Sequence, residues 1–249
     1  NLVARTLGVM MNLKIIDKEY SLEDKVDTIL SALINIKATQ NQELTFRSGC
    51  KSGVCGSCAV VVNGVEKLAC TTMCKNEDDI QPLKNTKVIR DLVVDMSYEE
   101  KFLNNATGYL SNHQEVKILP EDEKVIDIQS NCILCHSCFS SCPVYEVNPD
   151  FLGPFALTRA FRYINDKKES DVKEHIDSIQ TNGVWDCTLC GNCSMVCPAH
   201  IDIKNDIMKL RNTSAQHGHM DPAFSSGGMD FGGGFDTGGT PDFGFNPNF

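Results

Sequence analysis

The sequence predicts an α+β chain: a small mixed sheet crossed by one helix, followed by an all-helical part. Three observations carry that prediction. Short strand-like runs fill the first hundred residues, two of them flanking Asn63-Gly64, a dipeptide that favours a two-residue hairpin because both positions accept positive φ. Around Met96 to Glu100 the pattern changes from strands to helical periodicity, which continues to Leu210. Twelve of the 13 cysteines fall into three spaced groups, one in the strand-rich part and two in the helical part. Domains are accordingly expected at 1–97 and 98–216, with a low-complexity Gly/Phe/Asp tail at 217–249 expected to be disordered.

In order along the chain, Asn12 to Ile16 reads as a strand closing on the turn-like Asp17-Lys18-Glu19. Ser21 and Asp24 give a capping-box signal ahead of Val26, Ile29, Leu30, Leu33 and Ile34, which share one helical face. Leu44 to Arg47 is short and extended. Cys58 to Val62 and Val65 to Ala69 form the hairpin, and Lys87 to Val94 is a further strand that completes the sheet. Tyr98 to Leu110 is expected to be helical and Pro120 to Glu123 an acidic surface loop. Pro154 can open a helix without needing its N–H, and Leu157, Ala160, Phe161 and Ile164 give that helix its stripe. Val172, Ile176 and Ile179 mark another helix before Gly183. A last helix follows His200 and Asp202, with Ile203, Ile207 and Leu210 inward. From Ser225 to Phe249, Gly interleaves with Asp and Phe without Lys or Arg, a composition expected to stay disordered, with the Phe residues as candidate stickers for a partner.

The cysteines carry the chemistry. Cys132-x2-Cys135-x2-Cys138-x3-Cys142-Pro143 and Cys187-x2-Cys190-x2-Cys193-x3-Cys197-Pro198 are the bacterial ferredoxin pattern, twice. Three thiolates at i, i+3 and i+6 wrap chain around an iron–sulfur cube, and the fourth, ahead of Pro, leaves in the wrong direction and ligates the other cube. One [4Fe-4S] cluster is thereby assigned to Cys132, Cys135, Cys138 and Cys197, and a second to Cys142, Cys187, Cys190 and Cys193, with [3Fe-4S] as the alternative state of the second. The 44 residues between the runs must fold back to bring them side by side. Cys50-x4-Cys55-x2-Cys58 with Cys70 has the plant-type [2Fe-2S] spacing. Gly49, Gly53 and Gly56, with Ser52 and Ser57 between them, leave room for backbone N–H groups to reach the sulfurs and tune the cluster. Zinc also takes four thiolates, but its signature is paired Cys-x2-Cys knuckles, with neither the third Cys nor the Pro. An odd cysteine count and consecutive x2 spacings fit a disulfide framework poorly.

Composition narrows the remaining classes. With 41% hydrophobic and 22% charged residues over 249 positions, the chain reads as globular. A formal charge of -10 leaves no basic stripe for nucleic acid. No apolar run reaches the roughly 18 residues of a membrane span, and the sequence from Asn1 shows no charged-then-apolar secretory leader, with a leader ahead of Asn1 left open. Membrane contact is therefore expected through a partner. Reduced thiols and cluster assembly make the cytoplasm the expected compartment, with the periplasmic side open if the chain is exported together with a partner.

The order of these groups resembles the iron–sulfur subunit of the succinate dehydrogenase and fumarate reductase family, over roughly Lys14 to Leu210. Phe46-Arg47-Ser48-Gly49-Cys50, Cys55-Gly56-Ser57-Cys58-Ala59, Leu68-Ala69-Cys70, Val88-Ile89-Arg90-Asp91-Leu92-Val93-Val94-Asp95-Met96 and Asn148-Pro149-Asp150-Phe151-Leu152-Gly153-Pro154 all read like family segments. The resemblance implies a beta-grasp [2Fe-2S] ferredoxin domain, an alpha-helical ferredoxin domain, and an FAD-containing flavoprotein subunit that interconverts succinate and fumarate. Three departures matter. Members with a three-iron centre lack the thiol that Cys190 supplies, and quinone-reacting members often carry Trp and His where this chain has Val147 and Thr188. That pattern resembles the non-classical branch, whose third subunit is cysteine-rich and hydrophilic or peripheral rather than a haem-bearing membrane anchor.

No dinucleotide fingerprint and no acid, base or nucleophile set stands out, so substrate chemistry is expected on another chain. Cys74 is left over and reads as a buried small hydrophobe. His136, between ligands, is open to two roles, donation to a sulfur or filling surface. His113, His175, His200, His217 and His219 default to surface or cap roles, Trp185 to shielding a cluster, and Arg159 and Arg162 to a solvated helix face. The readings that remain are an electron-transfer subunit, a free-standing multi-cluster ferredoxin serving several partners, and a structural metal module that visible iron–sulfur absorption would exclude.

Overall fold

A computed structural model describes residues 10–23 and 26–225. Within the expected disordered tail, Pro222–Ser225 forms a short helix; the tail past Ser225 falls outside the described residues, as does Asp24 of the expected capping box. The first strands are β1 (Met11–Ile15), β2 (Lys18–Leu22), β3 (Ala59–Val62), β4 (Val65–Leu68) and β5 (Asp78–Gln81). They form one sheet in the order β2-β1-β5-β3-β4, with β1 and β5 parallel and the other neighbours antiparallel. Leu13, Ile15, Tyr20 and Leu22 alternate inward on β1 and β2, whereas all four residues of β3 are buried. A strand covered on both faces needs no alternation, which is why Ala59-Val60-Val61-Val62 is uniformly apolar.

Several local expectations change. Lys18 and Glu19 begin β2 rather than ending a turn, because the hairpin turns earlier, at Ile16 with φ 57°. Ser21 lies in β2, and α1 (Ile29–Thr39) is instead capped by Thr28, whose side chain accepts from Ser31 N–H while Ser31 Oγ accepts from Thr28 N–H. Its inward stripe is Ile29, Leu30, Leu33 and Ile36, and Ile34 is exposed. Leu44 to Arg47 forms no strand. Lys87 to Val94 is not the strand that completes the sheet. It folds into a separate two-stranded ribbon, β6 (Val88–Arg90) and β7 (Val93–Val94), reversing at Asp91 with φ 47°. The missing central strand is β5, whose sequence Asp-Asp-Ile-Gln offers one apolar residue and gave no periodic signal.

The helical part contains α2 (Tyr98–Asn105), α3 (Pro120–Ser130), α4 (Ser137–Ser140), a 3-10 turn at Pro143–Glu146, α5 (Gly153–Ile164), α6 (Val172–Ser178), α7 (Asn192–Met195) and α8 (Ile203–Gln216). α2 stops short of Leu110. The acidic stretch from Pro120 opens a helix rather than a loop: Pro sits in the first turn, three acids follow it, and Asp122 accepts Leu119 N–H at 2.8 Å. Pro with acids is itself an N-terminal helix signal, since the ring needs no partner and carboxylates favour the positive end of the helix.

Two hydrophobic cores result, one built from residues 13–94 and the other from residues 102–210, and Cys135 of the helical part joins the first. The described residues up to His219 belong to one compact unit. At its seam, Asn85 Nδ2 reaches the carbonyls of Phe139, Ser140 and Cys142 at 2.9, 3.1 and 2.9 Å. Ser140 Oγ donates to buried Glu66 and accepts Lys84 N–H, both at 2.8 Å. A rigid backbone fit at Gly153 (φ 87°) is equally specific, because a Cβ there would sit 1.8 Å from the Tyr145 hydroxyl. Only glycine can open α5 at this point.

Candidate iron–sulfur centres

Three thiols of the first group, Cys50, Cys55 and Cys58, lie on the loop before β3, and the fourth, Cys70, follows β4. Cys50 Sγ accepts N–H groups of Ser52, Val54 and Cys55 at 3.4, 3.2 and 3.3 Å. Cys55 Sγ accepts Cys50 N–H at 3.3 Å and meets Ser57 Oγ at 3.2 Å, and Cys70 Sγ accepts Gly53 N–H at 3.2 Å. These donors favour the thiolate, so the Ser52, Cys55 and Val54 N–H groups bring Cys50 down to about 6. Burial acts the other way at Cys58, which it pushes up to about 11. Cys50 and Cys55 are exposed, and Cys58 and Cys70 are buried.

The three expected glycines have three different jobs. Gly53 supplies an N–H to Cys70. Gly49 keeps space beside Cys55 Sγ, where a Cβ would come within 2.9 Å. Gly56 permits contact with the helical part, because its Cβ would lie 2.9 Å from Cys135 Cα and 3.0 Å from the Ile133 carbonyl oxygen.

The two later runs repeat one backbone. Leu134 and His136, at φ 49° and 61°, flank Cys135, while Leu189 and Gly191, at 55° and 85°, flank Cys190. A four-residue helix follows each, α4 and α7. The left-handed residues turn the chain around a centre, and the short helix brings the next thiol back to it.

Charge neighbourhoods divide these eight thiols. Burial first, and then repulsion from Cys135, Cys132, Cys193 and Cys197, raises Cys138 well above the usual thiol value. Cys132 and Cys135 are raised chiefly by burial, and both feel Cys197. Cys142 is pushed up to about 11 by burial, with Cys187 and Cys190 as its charged neighbours, and Cys193 to about 12 by burial, then Cys187, Cys142 and Cys190. Each run's last thiol therefore sits with the other run's first three. Cys132, Cys135, Cys138 and Cys197 also line a single recess, walled by Phe155, Thr158 and Ile201. An apolar recess of buried thiols that repel one another fits a cationic iron–sulfur core, which would neutralise them as thiolates. Among the described residues no group of three or more His, Cys, Asp or Glu side chains is set to hold a single metal ion.

Other expectations resolve around these groups. Cys74 is buried and its thiol faces Met11 Sδ at 3.5 Å. His136 does not fill surface: it is 1% exposed, and its Nε2 meets Glu99 at 2.5 Å. Burial, opposed by Glu99, lowers its pKa. His175 is not a surface residue either, since it is fully buried against Glu169 at 2.8 Å. Trp185 packs against the helical core and donates to Gln180 Oε1 at 2.8 Å. Arg211, which no sequence signal singled out, spans the carbonyls of Val184, Trp185 and Cys187 and fixes the approach to the last run. Arg159 and Arg162 are half-buried rather than solvated.

Residues 10–101 match the family model described as a 2Fe-2S iron-sulfur cluster binding domain, and residues 128–201 match the 4Fe-4S dicluster domain. The fumarate reductase iron-sulfur subunit of Escherichia coli is 37% identical over 189 residues, covering 72% of this chain and 78% of the relative. The mitochondrial succinate dehydrogenase (ubiquinone) iron-sulfur subunit 1 of Oryza sativa is 37% identical over 194 residues, covering 73% and 69%. Among solved structures, a chain of the Mycobacterium smegmatis Sdh1 complex in the apo form superposes with a TM-score of 0.74 at 24% identity, covering 84% of this chain and 96% of that one, which supports the fold.

Proposed function

The chain belongs to the iron–sulfur subunit family of succinate dehydrogenases and fumarate reductases, and from that premise we infer how its three centres pass electrons between partners. One end meets an FAD-bearing subunit that interconverts succinate and fumarate. The other end meets a third subunit. No substrate chemistry is assigned to this chain.

The observation that carries the reading is the serial order of the thiol groups. Gly56, between Cys55 and Cys58, packs on Cys135, and Cys138 stands in the charge neighbourhood of Cys193. The path thus runs from [2Fe-2S] at Cys50, Cys55, Cys58 and Cys70, to [4Fe-4S] at Cys132, Cys135, Cys138 and Cys197, to the centre at Cys142, Cys187, Cys190 and Cys193. Its ends are open and its middle is covered: Cys50, Cys55 and Cys190 are exposed, while Cys135 and Cys138 are each 8% exposed. The clusters supply one-electron chemistry when bound. The protein holds the thiolates, aims N–H groups at sulfur and excludes water, which together set each potential.

Cys190 supports a four-iron last centre and the non-classical branch, since it continues the same left-handed turn as Cys135. The neighbouring surface, with Val147 at 84% and Met195 at 78% exposure, suits a peripheral or membrane-anchoring third subunit. Among the described residues no helix is long and apolar enough to cross a membrane, so membrane association would come through partners. Thiol ligation and cluster assembly favour the cytoplasmic side.

Paramagnetic resonance on anaerobically purified protein, oxidised and dithionite-reduced, with iron counted alongside, tests this reading. About ten irons per chain and an oxidised sample silent in the three-iron region are expected. A strong three-iron signal without air exposure, with Cys190 intact, would overturn the four-iron assignment.

A further inference from the structure

The junction of α3, α5 and α8 contains three buried polar side chains that cluster ligation does not use. Gln129, Thr158 and Asp206 are 6%, 0% and 2% exposed. Gln129 Nε2 donates to Asp206 Oδ1 at 2.9 Å, and the Thr158 hydroxyl donates to Asp206 Oδ2. Gln129 Oε1 has no hydrogen-bond partner among the described residues. Packing alone would favour apolar residues here, because a buried carboxylate is costly even when hydrogen-bonded.

The chain of groups separates two spaces. Thr158 lines the recess of Cys132, Cys135, Cys138 and Cys197. Gln129 and Asp206 line an open groove on the other side, with Lys124, His200 and Lys209 around it. A solvent-facing groove and the wall of the middle cluster site are therefore joined by one carboxyl and one hydroxyl. The charged or titratable groups around Asp206 are Lys124 from α3, Asp202 and Lys209 from α8 and its cap, and His200 from the preceding loop, while Thr158 and Phe161 come from α5 and Asn165 from its C-cap. Burial, more than Asp202, raises the carboxyl, against the hydrogen bonds from Thr158 and Gln129 and the charge of Lys209.

We propose that Asp206 is the redox-linked proton acceptor of the middle [4Fe-4S] cluster, filled from the groove and coupled to the cluster through Thr158. The step balances: the oxidised cluster, one electron from the relay, ionised Asp206 and one proton from water give the reduced cluster and neutral Asp206. The added negative charge on the cluster is offset by the lost charge on the carboxylate. Thr158 follows the change, because it donates to an ionised Asp206 and accepts from a protonated one, which frees its own hydroxyl hydrogen. The proposal rests on the ligand assignment above.

Potentiometric titration of the resonance signal of this cluster, in the intact cluster-loaded complex over a series of pH values, is the test. Between the carboxyl's pKa values beside the oxidised and the reduced cluster, the reduction equilibrium should weaken up to tenfold per pH unit, 59 mV for a one-electron couple. Asp206→Asn, nearly isosteric, should flatten that slope and leave the [2Fe-2S] midpoint unmoved. Thr158→Val removes a bond that stabilises the ionised carboxyl and should move the window to higher pH, with Thr158→Ser restoring it. Redox difference infrared spectra of unmutated protein should show a protonated-carboxyl band appearing on reduction, a readout independent of whether a variant folds. A present cluster with a pH-independent midpoint overturns the proposal and spares the ligand assignment, and so does a slope that survives Asp206→Asn. A signal unchanged by Cys135→Ala overturns the assignment, and the proposal with it.

Discussion

The two cysteine runs are one loop in two settings. Cys135 and Cys190 occupy the same place between two left-handed residues, each followed by a short helix, yet Cys135 is buried and Cys190 is exposed. The first run is covered by the strand-rich part through Gly56, and the second is left open to a partner. Ligand geometry is thus local, written in the spacing, while solvent access is supplied from elsewhere in the chain. For electron transfer the difference is useful: a covered centre keeps its electron from side reactions, and an open one can hand it on.

The strongest way to break the comparison is to remove the two equivalent thiols. Cys135→Ala should cost the middle cluster altogether, with a loss approaching four irons per chain and lower thermal stability, because a buried recess loses its filling. Cys190→Ala should cost about one iron, keep the fold, and give a three-iron signal, since the remaining thiolates still hold a three-iron core. Iron analysis with paramagnetic resonance separates the two outcomes, and equal losses from both variants would contradict the difference in cover. Gly56→Val attacks the cover itself. Its side chain must displace Cys135 and the Ile133 carbonyl from a backbone at φ 71°. Overpacking and left-handed strain together predict a loss of about 2–5 kcal/mol, read by thermal or denaturant unfolding. The middle cluster should be lost before the last one.

The excursion between the runs is pinned by Glu169, and acid should release it. Glu169 is buried, which by itself would raise its carboxyl, but N–H groups of Asp171, Ser111 and Asn112 with His175 outweigh burial and bring it down to about 2. A depressed carboxyl stabilises the fold fully above its unfolded value near 4.5 and loses that stabilisation as pH falls toward 2. The linked contribution is on the order of 3 kcal/mol at neutral pH. Glu169→Gln should remove most of it and flatten the dependence of unfolding free energy on pH between those limits. If the pinned excursion is what holds the runs together, both cubane centres should bleach together in acid, ahead of the [2Fe-2S] centre.

Spacing made the ligands legible because metal ligation fixes sequence intervals. The hairpin at Asn63-Gly64 and the stripes of α5 and α8 were legible because they are local and periodic. β5 was not, since its place between β1 and β3 depends on tertiary pairing and its four residues include one apolar side chain. α3 had a readable start in Pro120 and its acids, but its face reads weakly because the residue it buries is Gln129. The Gln129–Asp206–Thr158 chain and the His136–Glu99 pair left no signal at all. Polar residues on three helices become partners only when the fold brings them together, and a lone Asp or Thr otherwise reads as surface.

The gentlest test of the comparison uses the two asparagines at the edges of the runs. Asn85 Nδ2 serves three carbonyls around the end of α4, and thereby ties the first run to the strand-rich part. Asn192 Nδ2 makes one bond, 3.3 Å to the Ser141 carbonyl, and ties the second run only to the first. Asn85→Ala leaves partly buried acceptors without a donor and should cost about 1–2 kcal/mol, whereas Asn192→Ala should cost about 0.5–1 kcal/mol. The ordering is more informative than either value. Water can reach the second run where Cys190 opens it and replace what Asn192 gave, but at the seam the replacement must enter between packed halves. Denaturant unfolding of both variants, with cluster absorbance followed in parallel, would sharpen the comparison if Asn85→Ala loosens the middle centre and Asn192→Ala loosens neither. If Asn192→Ala proves the costlier change, the second run owes its shape to the first, and cover matters less than contact between the runs.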